Sequence, residues 1–207
     1  MSRRLVSITL DNIDDLPWPC RECVFWETGH RSTPGTHKDD WLSAVLLEWG
    51  SCGRILSVDG QTAGYALYAP PEYVGGLRGY ATSEVSADAI LLMTARILPA
   101  YSASGLGRVL IQSVVKDALS RRGVRALEAF GDVLGEEMSC VIPSEFLTAV
   151  GFKTVHLHPR YPRLRLDLRT VLTWRGDVEV ALERWLGAIR PDASPVGVRP
   201  RTESSVD

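Results

Sequence analysis

The sequence lacks the long apolar run that a membrane-spanning helix requires, and it has no strong excess of charge of either sign. It contains 23 lysines and arginines against 25 aspartates and glutamates, which gives a formal net charge of -2. A spanning helix needs about 20 consecutive apolar residues, and nucleic acids and acidic membranes select strongly basic surfaces. We therefore expect neither a membrane nor a nucleic acid as a partner.

The N-terminal residues do not match the pattern of a signal peptide. The segment MSRRLVSITLDNIDD has two arginines, but its apolar part is short and is soon followed by acidic residues. A signal peptide carries an apolar region of about 7–15 residues. We therefore expect a cytoplasmic protein. Its 207 residues, 45% of them hydrophobic, suit one domain with a full core.

Cysteine is scarce, with four residues in the chain. Cys20 and Cys23 form a CxxC motif, which is compatible with half of a zinc site or with a redox pair. The sequence has no second CxxC motif, and the nearest histidine, His30, lacks zinc-finger spacing. We therefore favour a buried structural pair on one face of a helix over a metal or redox module, and we expect no metal.

The first half of the chain alternates helical and strand patterns. LVSITL (5–10) predicts a strand, and THKDDWLSAVLLEWG predicts an amphipathic helix that ends at Gly50. GRILSV and AGYALYA predict two strands joined at Asp59-Gly60, which is a strong hairpin signal. Trp18, Phe25 and Trp26 are expected to form a partly buried aromatic cluster.

The second half begins with AILLMTARIL (89–98), whose continuous apolar character predicts a central strand buried on both faces. A helix over 106–122, the strand VRALEAFGD, the helix PSEFLTAVGF and two closing strands follow. DVEVALERWLGAI predicts a last helix. We expect one mixed α/β domain over residues 1–190, followed by a disordered tail over 191–207, which has no core-forming periodicity.

A glycine turn joins the central strand to the helix that follows it, in the stretch ILPAYSASGLGRVLIQ (97–112). The free amides at a helix N-terminus bind phosphate groups, and small residues over 102–107 would let an anion approach the backbone. The spacing is neither that of a nucleoside-triphosphate P-loop nor G-x-G-x-x-G. A tight turn that lets strand and helix pack closely explains the two glycines equally well.

The same stretch resembles motif A of the GNAT acetyltransferase superfamily, [QR]-x-x-G-x-[GA], and the order of elements over residues 5–170 is similar as well. EFLTAVGF resembles the closing helix of that family, and PCRECVFWE is similar to a bacterial branch of it. The resemblance implies the acyl-CoA N-acyltransferase fold, which is a mixed, mostly antiparallel central sheet flanked by helices, with a splayed strand pair.

The resemblance further implies an N-acetyltransferase that uses acetyl-CoA as co-substrate and passes the acetyl group directly to an amine of a small molecule or protein. It places the pyrophosphate on the glycine turn and the pantetheine arm beside the end of the central strand. The implied binding residues are Arg96, Ile97, Leu98, Ser102, Ala103, Ser104, Gly105, Leu106, Gly107 and Arg108. The oligomeric state stays open, with a homodimer among the options.

Two positions depart from the family pattern. Ser102 stands where the motif has glutamine or arginine, and Leu147 stands where many members have a tyrosine that acts as acid toward the leaving thiolate. Two readings follow, an active acyltransferase, which we favour, and a degenerate member that binds CoA or a protein partner without catalysis.

The general base has to come from the edges of the central strand, because the strand carries no carboxylate or histidine between Ala89 and Ile97. Asp88 at its entrance is the candidate, although a role as a turn or strand-end residue explains it more simply. Glu84 is expected to be a solvated loop charge and Glu128 to be buried beside an arginine. Cys140 is interpreted as a packing residue.

Overall fold

A computed structural model describes residues 2–18, 20–102, 104–135 and 139–172. The predicted binding residue Ala103, the predicted last helix DVEVALERWLGAI and the predicted disordered tail over 191–207 lie outside these residues. Among the residues described, no helix has the length and apolar character needed to cross a membrane.

The first half of the chain forms three strands and two helices, close to the predicted order. Their bounds are β1 Arg3–Ser7, α1 Phe25–Thr28, α2 Lys38–Glu48, β2 Gly53–Val58 and β3 Gln61–Ala69. Asp59 and Gly60 both adopt positive φ, at 49° and 80°, which fits the tight hairpin turn that the Asp-Gly pair predicts.

The second half contains the central strand, the long helix and the closing strands. Their bounds are β4 Ala89–Ile97, α3 Leu106–Leu119, β5 Ala126–Asp132, β6 Ile142–Pro143, α4 Ser144–Ala149, β7 Lys153–His156, β8 Arg163–Asp167 and α5 Leu168–Leu172. The predicted strand–turn–helix crossover is thus β4, the glycine turn and α3. The short strand β6 was not predicted.

The strands form one sheet in the order β1-β2-β3-β4-β5-β8-β7, with β6 paired to β5. Neighbours are antiparallel except at β4–β5 and β5–β6, which are parallel. In the described chain β4 pairs with β5 only from Ala89 to Leu91, although β4 continues to Ile97. The two strands therefore separate halfway along β4, which confirms the predicted splayed pair.

Each face of the sheet is covered by its own apolar core, and β4 contributes to both. Ile90 and Leu92 pack on the face covered by α3, whereas Leu91 and Met93 pack on the face covered by α2. Successive side chains of a strand point to opposite faces, so a strand buried on both sides needs the continuous apolar run that the sequence shows.

Two details of the N-terminal segment differ from the sequence-based expectations. Trp26 is buried, but Trp18 is 78% exposed and does not join its cluster. Cys20 lies in a turn and Cys23 in the irregular segment before α1, so they do not share a helix face. The prolines at positions 17 and 19 explain the late start of α1, because proline disrupts a helix interior.

Candidate functional site

A cleft of about 720 Å³ opens where β4 and β5 separate and extends to the N-terminus of α3. One side is the edge of β4 that has no strand partner in the described part of the chain, and the segment leading into α4 forms the other. Eight of the ten residues named from the sequence line this cleft. They are Arg96, Ile97, Ser102, Ser104, Gly105, Leu106, Gly107 and Arg108.

Leu98 is the described residue of that set that does not line the cleft. Its backbone N–H donates to the carbonyl oxygen of Ala63 at 2.9 Å, which continues the pairing of β4 with β3. The chain turns away from the sheet immediately afterwards, in a 3-10 helix over Pro99–Tyr101. Leu98 therefore directly follows β4, continues its pairing with β3 and does not line the cleft.

The turn at the N-terminus of α3 presents backbone amides to the cleft. Gly105 precedes the helix in the left-handed conformation, with φ 76° and ψ -2°, and a Cβ built on it would meet no atom within 4 Å. The first amides of a helix have no intrahelical acceptor, and the helix dipole makes this end partly positive. Arg108 also lies at the cleft and donates to the carbonyl oxygen of Ala149 at 3.4 Å.

Gly107 is required by packing inside the protein. A Cβ at this position would lie 2.6 Å from Cε2 of Phe146, a ring carbon on α4. The glycine therefore allows α4 to approach α3. This is a packing role, but it joins two helices, whereas the sequence suggested close packing of the strand on the helix that follows it. The cleft is independent of this explanation, since it arises from the separation of β4 and β5.

We expect Gly107→Ala to lower the free energy of unfolding by about 1–3 kcal/mol, because overpacking forces neighbouring side chains to shift. In a Phe146→Ala background the same substitution should be neutral or stabilising, since alanine is the better helix former. Urea denaturation of the four proteins in this double-mutant cycle measures the coupling. Equal costs of Gly107→Ala in both backgrounds would contradict the contact.

The wall opposite β4 was not identified residue by residue from the sequence. It consists of apolar side chains from β6 and α4 together with the residue before β6 and the residue after α4. These residues are Val141, Ile142, Pro143, Phe146, Ala149 and Val150. Its members are far from the glycine turn along the chain, so only the resemblance of EFLTAVGF to the family's closing helix could have indicated them.

Asp88, the candidate general base, lies outside the lining of the cleft and forms a two-pronged ion pair with Arg165. The distances are 2.9 Å from Oδ1 to Nη1 and 3.0 Å from Oδ2 to Nη2. The hydrogen bonds from Arg165 lower the pKa of Asp88 below its ordinary value of 3.8. A general base works best when its pKa is near the working pH, so this environment favours the strand-end role.

Asp88→Asn is expected to reduce stability by less than about 1 kcal/mol at neutral pH, because the Asp88 side chain is 38% exposed. A lowered pKa stabilises the folded state above the unfolded pKa, and this contribution disappears as pH falls through the folded pKa. The difference between wild type and variant should thus be constant above about pH 5 and shrink below pH 3.8. Urea denaturation between pH 7 and pH 2.5 measures it. A difference that grows toward acid would contradict the ion pair.

Glu128 and Glu84 follow their sequence-based expectations. Glu128 is fully buried in β5 and its Oε2 accepts a hydrogen bond from Arg163 Nη1 at 2.5 Å. Its Oε1 accepts hydrogen bonds from the Ser86 hydroxyl at 2.6 Å and from Arg165 at 3.2 Å. Glu84 is exposed in the loop before β4. Glu128 is therefore part of a buried charge network that joins β5 to β8.

A second cavity, of about 270 Å³, neighbours the cleft, and Val141 lines both. Its walls include the aromatic rings of Phe25, Tyr80 and Tyr161. Tyr80 and Tyr161 contact each other edge to face, with centroids 5.5 Å apart. Val141, the residue before β6, is thus shared by two cavities, one lined by the glycine turn and one lined by Phe25 of α1.

Several solved structures share this arrangement of strands and helices. The aminoglycoside acetyltransferase AAC(6')-Ib, in complex with ribostamycin and coenzyme A, aligns with a TM-score of 0.59 at 16% identity, covering 86% of this chain and 99% of its own. The loading GNATL domain of CurA from Lyngbya majuscula aligns with a TM-score of 0.54 at 15% identity, covering 82% of this chain and 100% of its own. This chain has the GNAT fold.

A GNAT-family protein from Desulfovibrio desulfuricans gives a TM-score of 0.50 at 18% identity, covering 81% of this chain and 99% of its own. No protein-family model matches the sequence, and a search of curated proteins also finds no match. The GNAT fold is therefore recognised here through three-dimensional structure, together with the glycine motif at the start of α3.

One position in α4 of this GNAT fold differs chemically from what the family resemblance leads one to expect. Leu147 is fully buried and packs in the core beneath α3. Phe146 beside it lines the cleft, but neither side chain can donate a proton. In α4, Ser144–Ala149, the sequence SEFLTA offers no tyrosine.

Proposed function

We propose that this protein transfers an acyl group from an acyl-coenzyme A, with acetyl-CoA as the first candidate, to an amine. The observation that carries this proposal is the cleft between β4 and β5, which joins an unpaired strand edge to the N-terminus of α3. In addition, AAC(6')-Ib, which shares the fold, has been solved with ribostamycin and coenzyme A. A cofactor cleft and a GNAT fold together support the acyltransferase class.

The residues of the cleft fit the parts of an acyl-coenzyme. Backbone amides over 104–107 suit a diphosphate, because they combine free donors with the positive end of the α3 dipole. Beyond Leu91, the edge of β4 that faces β5 has no strand partner among the described residues. This edge can therefore form hydrogen bonds with an extended pantetheine arm, as it would with a further strand. Val141, Ile142 and Phe146 provide the apolar wall on the opposite side.

The backbone of β4 can also polarise the acyl carbonyl. A β-bulge interrupts the pairing of β3 and β4, because Leu67 pairs with Thr94 while Tyr68 pairs with Leu92. A bulge re-aims the local backbone, and Thr94 lies on the cleft. Fixed amide donors near a carbonyl oxygen stabilise the charge that develops during acyl transfer.

The second cavity is the proposed entrance for the amine. It shares Val141 with the cleft, so an amine bound there would lie next to the acyl-coenzyme. Its volume of about 270 Å³ is close to the lower end of the range for small-molecule sites. We therefore propose a small amine, or a single amine-bearing side chain or terminus of a protein, as acceptor.

A second candidate function, binding of an acyl-coenzyme without turnover, is favoured by one observation. Position 147 in α4 carries a buried leucine, so this helix lacks the tyrosine acid that the family resemblance leads one to expect. The cleft would still bind the coenzyme, and the missing step would be protonation of the leaving thiolate.

Two measurements on the full chain test the proposal. Isothermal calorimetry with acetyl-CoA should show saturable binding, and a thiol-release assay with a panel of small amines and peptides should show release that depends on an amine. Binding without release from any amine would favour the second candidate. Absence of saturable binding of acetyl-CoA and of longer acyl-CoAs would contradict both candidates.

A further inference from the structure

Two cysteines that are 117 residues apart in the sequence lie in direct contact. Cys23 Sγ and Cys140 Sγ are 3.4 Å apart, and both residues are half-buried. Cys23 precedes α1, and Cys140 precedes Val141, which lines both cavities. A disulfide has an S–S bond of about 2.05 Å, so roughly 1.4 Å of closure would join the two sulfurs.

The backbone around both thiols is held by hydrogen bonds. Trp26 Nε1 donates to the carbonyl oxygen of Cys140 at 3.0 Å, and the Trp26 side chain is buried against Tyr80 and Phe130. This bond connects the start of α1 to the segment before β6. The two sulfurs are therefore kept together by the packed core around them.

We propose that Cys23 and Cys140 form an oxidation site that reacts with a hydroperoxide and closes to a reversible disulfide. In the first step, the Cys23 thiolate attacks one oxygen of the hydroperoxide and the O–O bond breaks. Cys23 becomes a sulfenic acid, and the other oxygen leaves as hydroxide, or as alkoxide from an alkyl hydroperoxide. In the second step, the Cys140 sulfur attacks the Cys23 sulfur. The sulfenic hydroxyl group leaves, takes up the thiol proton of Cys140 and departs as water. Two thiols are oxidised and one hydroperoxide is reduced.

The surroundings of Cys23 favour its thiolate and give it the attacking role. The pKa of Cys23 is lowered to about 6, mainly by the hydrogen bond with Cys140; burial opposes this effect, and the backbone of Phe25 and the charge of Lys38 add to it. The same hydrogen bond raises the pKa of Cys140, with Arg31 acting in the opposite direction. Because the thiolate is the reactive form, Cys23 reacts first and Cys140 resolves the sulfenic acid.

The other two cysteines are placed differently. Cys20 Sγ lies 2.5 Å from the hydroxyl oxygen of Tyr65. Cys52 is buried in the core, and burial raises its pKa to about 12. A CxxC motif alone suggests a bridge between Cys20 and Cys23, whereas the structure pairs Cys23 with Cys140.

The second cavity reaches the resolving cysteine. Cys140 lines this cavity together with Arg31 and the rings of Phe25, Tyr80 and Tyr161, and the half-buried Cys23 lies 3.4 Å behind it, sulfur to sulfur. The disulfide would tie the segment that carries Val141, a residue that lines both cavities, to the loop before α1. The oxidation itself does not depend on the proposed acyl transfer, so the two proposals can fail separately.

The test is peptide mapping of the full chain after treatment with hydrogen peroxide. Trypsin cuts after arginine and lysine, and it places all four cysteines on different peptides because Arg21 separates Cys20 from Cys23. We expect the peptide of residues 22–31 linked to the peptide of residues 126–153, with the loss of two hydrogen atoms. Dithiothreitol should reverse this link, and Cys20 and Cys52 should remain open to alkylation after unfolding.

Variants identify the order of the steps. In Cys140→Ala, dimedone should trap the sulfenic acid on Cys23, whereas Cys23→Ala should give no dimedone adduct on Cys140 at the same dose. Cys20→Ala is the matched control and should form the link at the wild-type rate. A Cys20–Cys23 link in the wild type, or peroxide treatment that leaves Cys23 and Cys140 unlinked in the folded protein, would overturn the proposal.

The pH dependence of alkylation provides an independent measurement. The rate at which iodoacetamide modifies Cys23 should rise to a plateau with a midpoint near pH 6, because the thiolate fraction saturates above the pKa. Cys140→Ala should move the midpoint upward. A midpoint at the ordinary thiol value in the wild type would overturn the assignment of Cys23 as the attacking residue.

Discussion

Replacing Ser104 by glutamate is expected to weaken acetyl-CoA binding by about a hundredfold. Ser104 is exposed in the turn before α3 and lines the cleft. A carboxylate there would lie within several ångströms of the proposed diphosphate site. Like charges about 4 Å apart repel by about 1 kcal/mol in water and by about 4 kcal/mol near a protein surface, and about 2.8 kcal/mol corresponds to a hundredfold.

Ser104→Gln is the matched control, since glutamine has the size of glutamate without its charge. Both variants remove the hydrogen bond from the Ser104 hydroxyl to the carbonyl oxygen of Tyr101, so this loss cancels in the comparison. Calorimetric titration should give Ser104→Gln an affinity within about threefold of wild type, and the glutamate effect should shrink at high salt because salt screens exposed charges. Equal affinities for the two variants would place the diphosphate elsewhere.

Replacing Glu128 by alanine is expected to lower the free energy of unfolding by about 3–5 kcal/mol. The carboxylate is fully buried and pairs with Arg163, whose side chain is only 5% exposed. Removing one partner of a buried ion pair leaves the other charge without compensation, and this is where the cost arises. Urea denaturation monitored by tryptophan fluorescence measures the change.

Asp167→Ala is the control for Glu128→Ala. Asp167 pairs with Arg165 at 2.9 Å, but its side chain is 58% exposed, and an exposed ion pair contributes less than about 1 kcal/mol. The two variants remove carboxylates from adjacent strands of the same sheet. Similar costs for both would contradict the distinction between the buried and the exposed part of the network.

Much of the fold could be predicted because local patterns agree with it. The apolar run over 89–98 became β4, the Asp59-Gly60 pair became a hairpin turn, and Gly50 ends α2 with φ 89°. The glycine turn predicted the side of the cleft formed by β4 and α3. These features depend on residues that are close together in the chain, where spacing carries the information.

The remaining features depend on contacts between distant segments. Nothing in the spacing of Cys23 and Cys140 indicates that their sulfurs meet, and the partner of Asp88 is Arg165, which is 77 residues away. Gly107 looks like a ligand-binding glycine in sequence, but its Cβ position is limited by Phe146. Such pairs are decided by how the sheet and its helices pack.

A crystal structure of the protein grown with saturating coenzyme A tests the central claim most directly. The account predicts diphosphate oxygens within hydrogen-bonding distance, about 3 Å, of the amides over 104–107, with the pantetheine arm extended along β4 toward Thr94. Coenzyme A bound at another surface, or a structure at saturating ligand in which the gap between β4 and β5 remains empty, would contradict it.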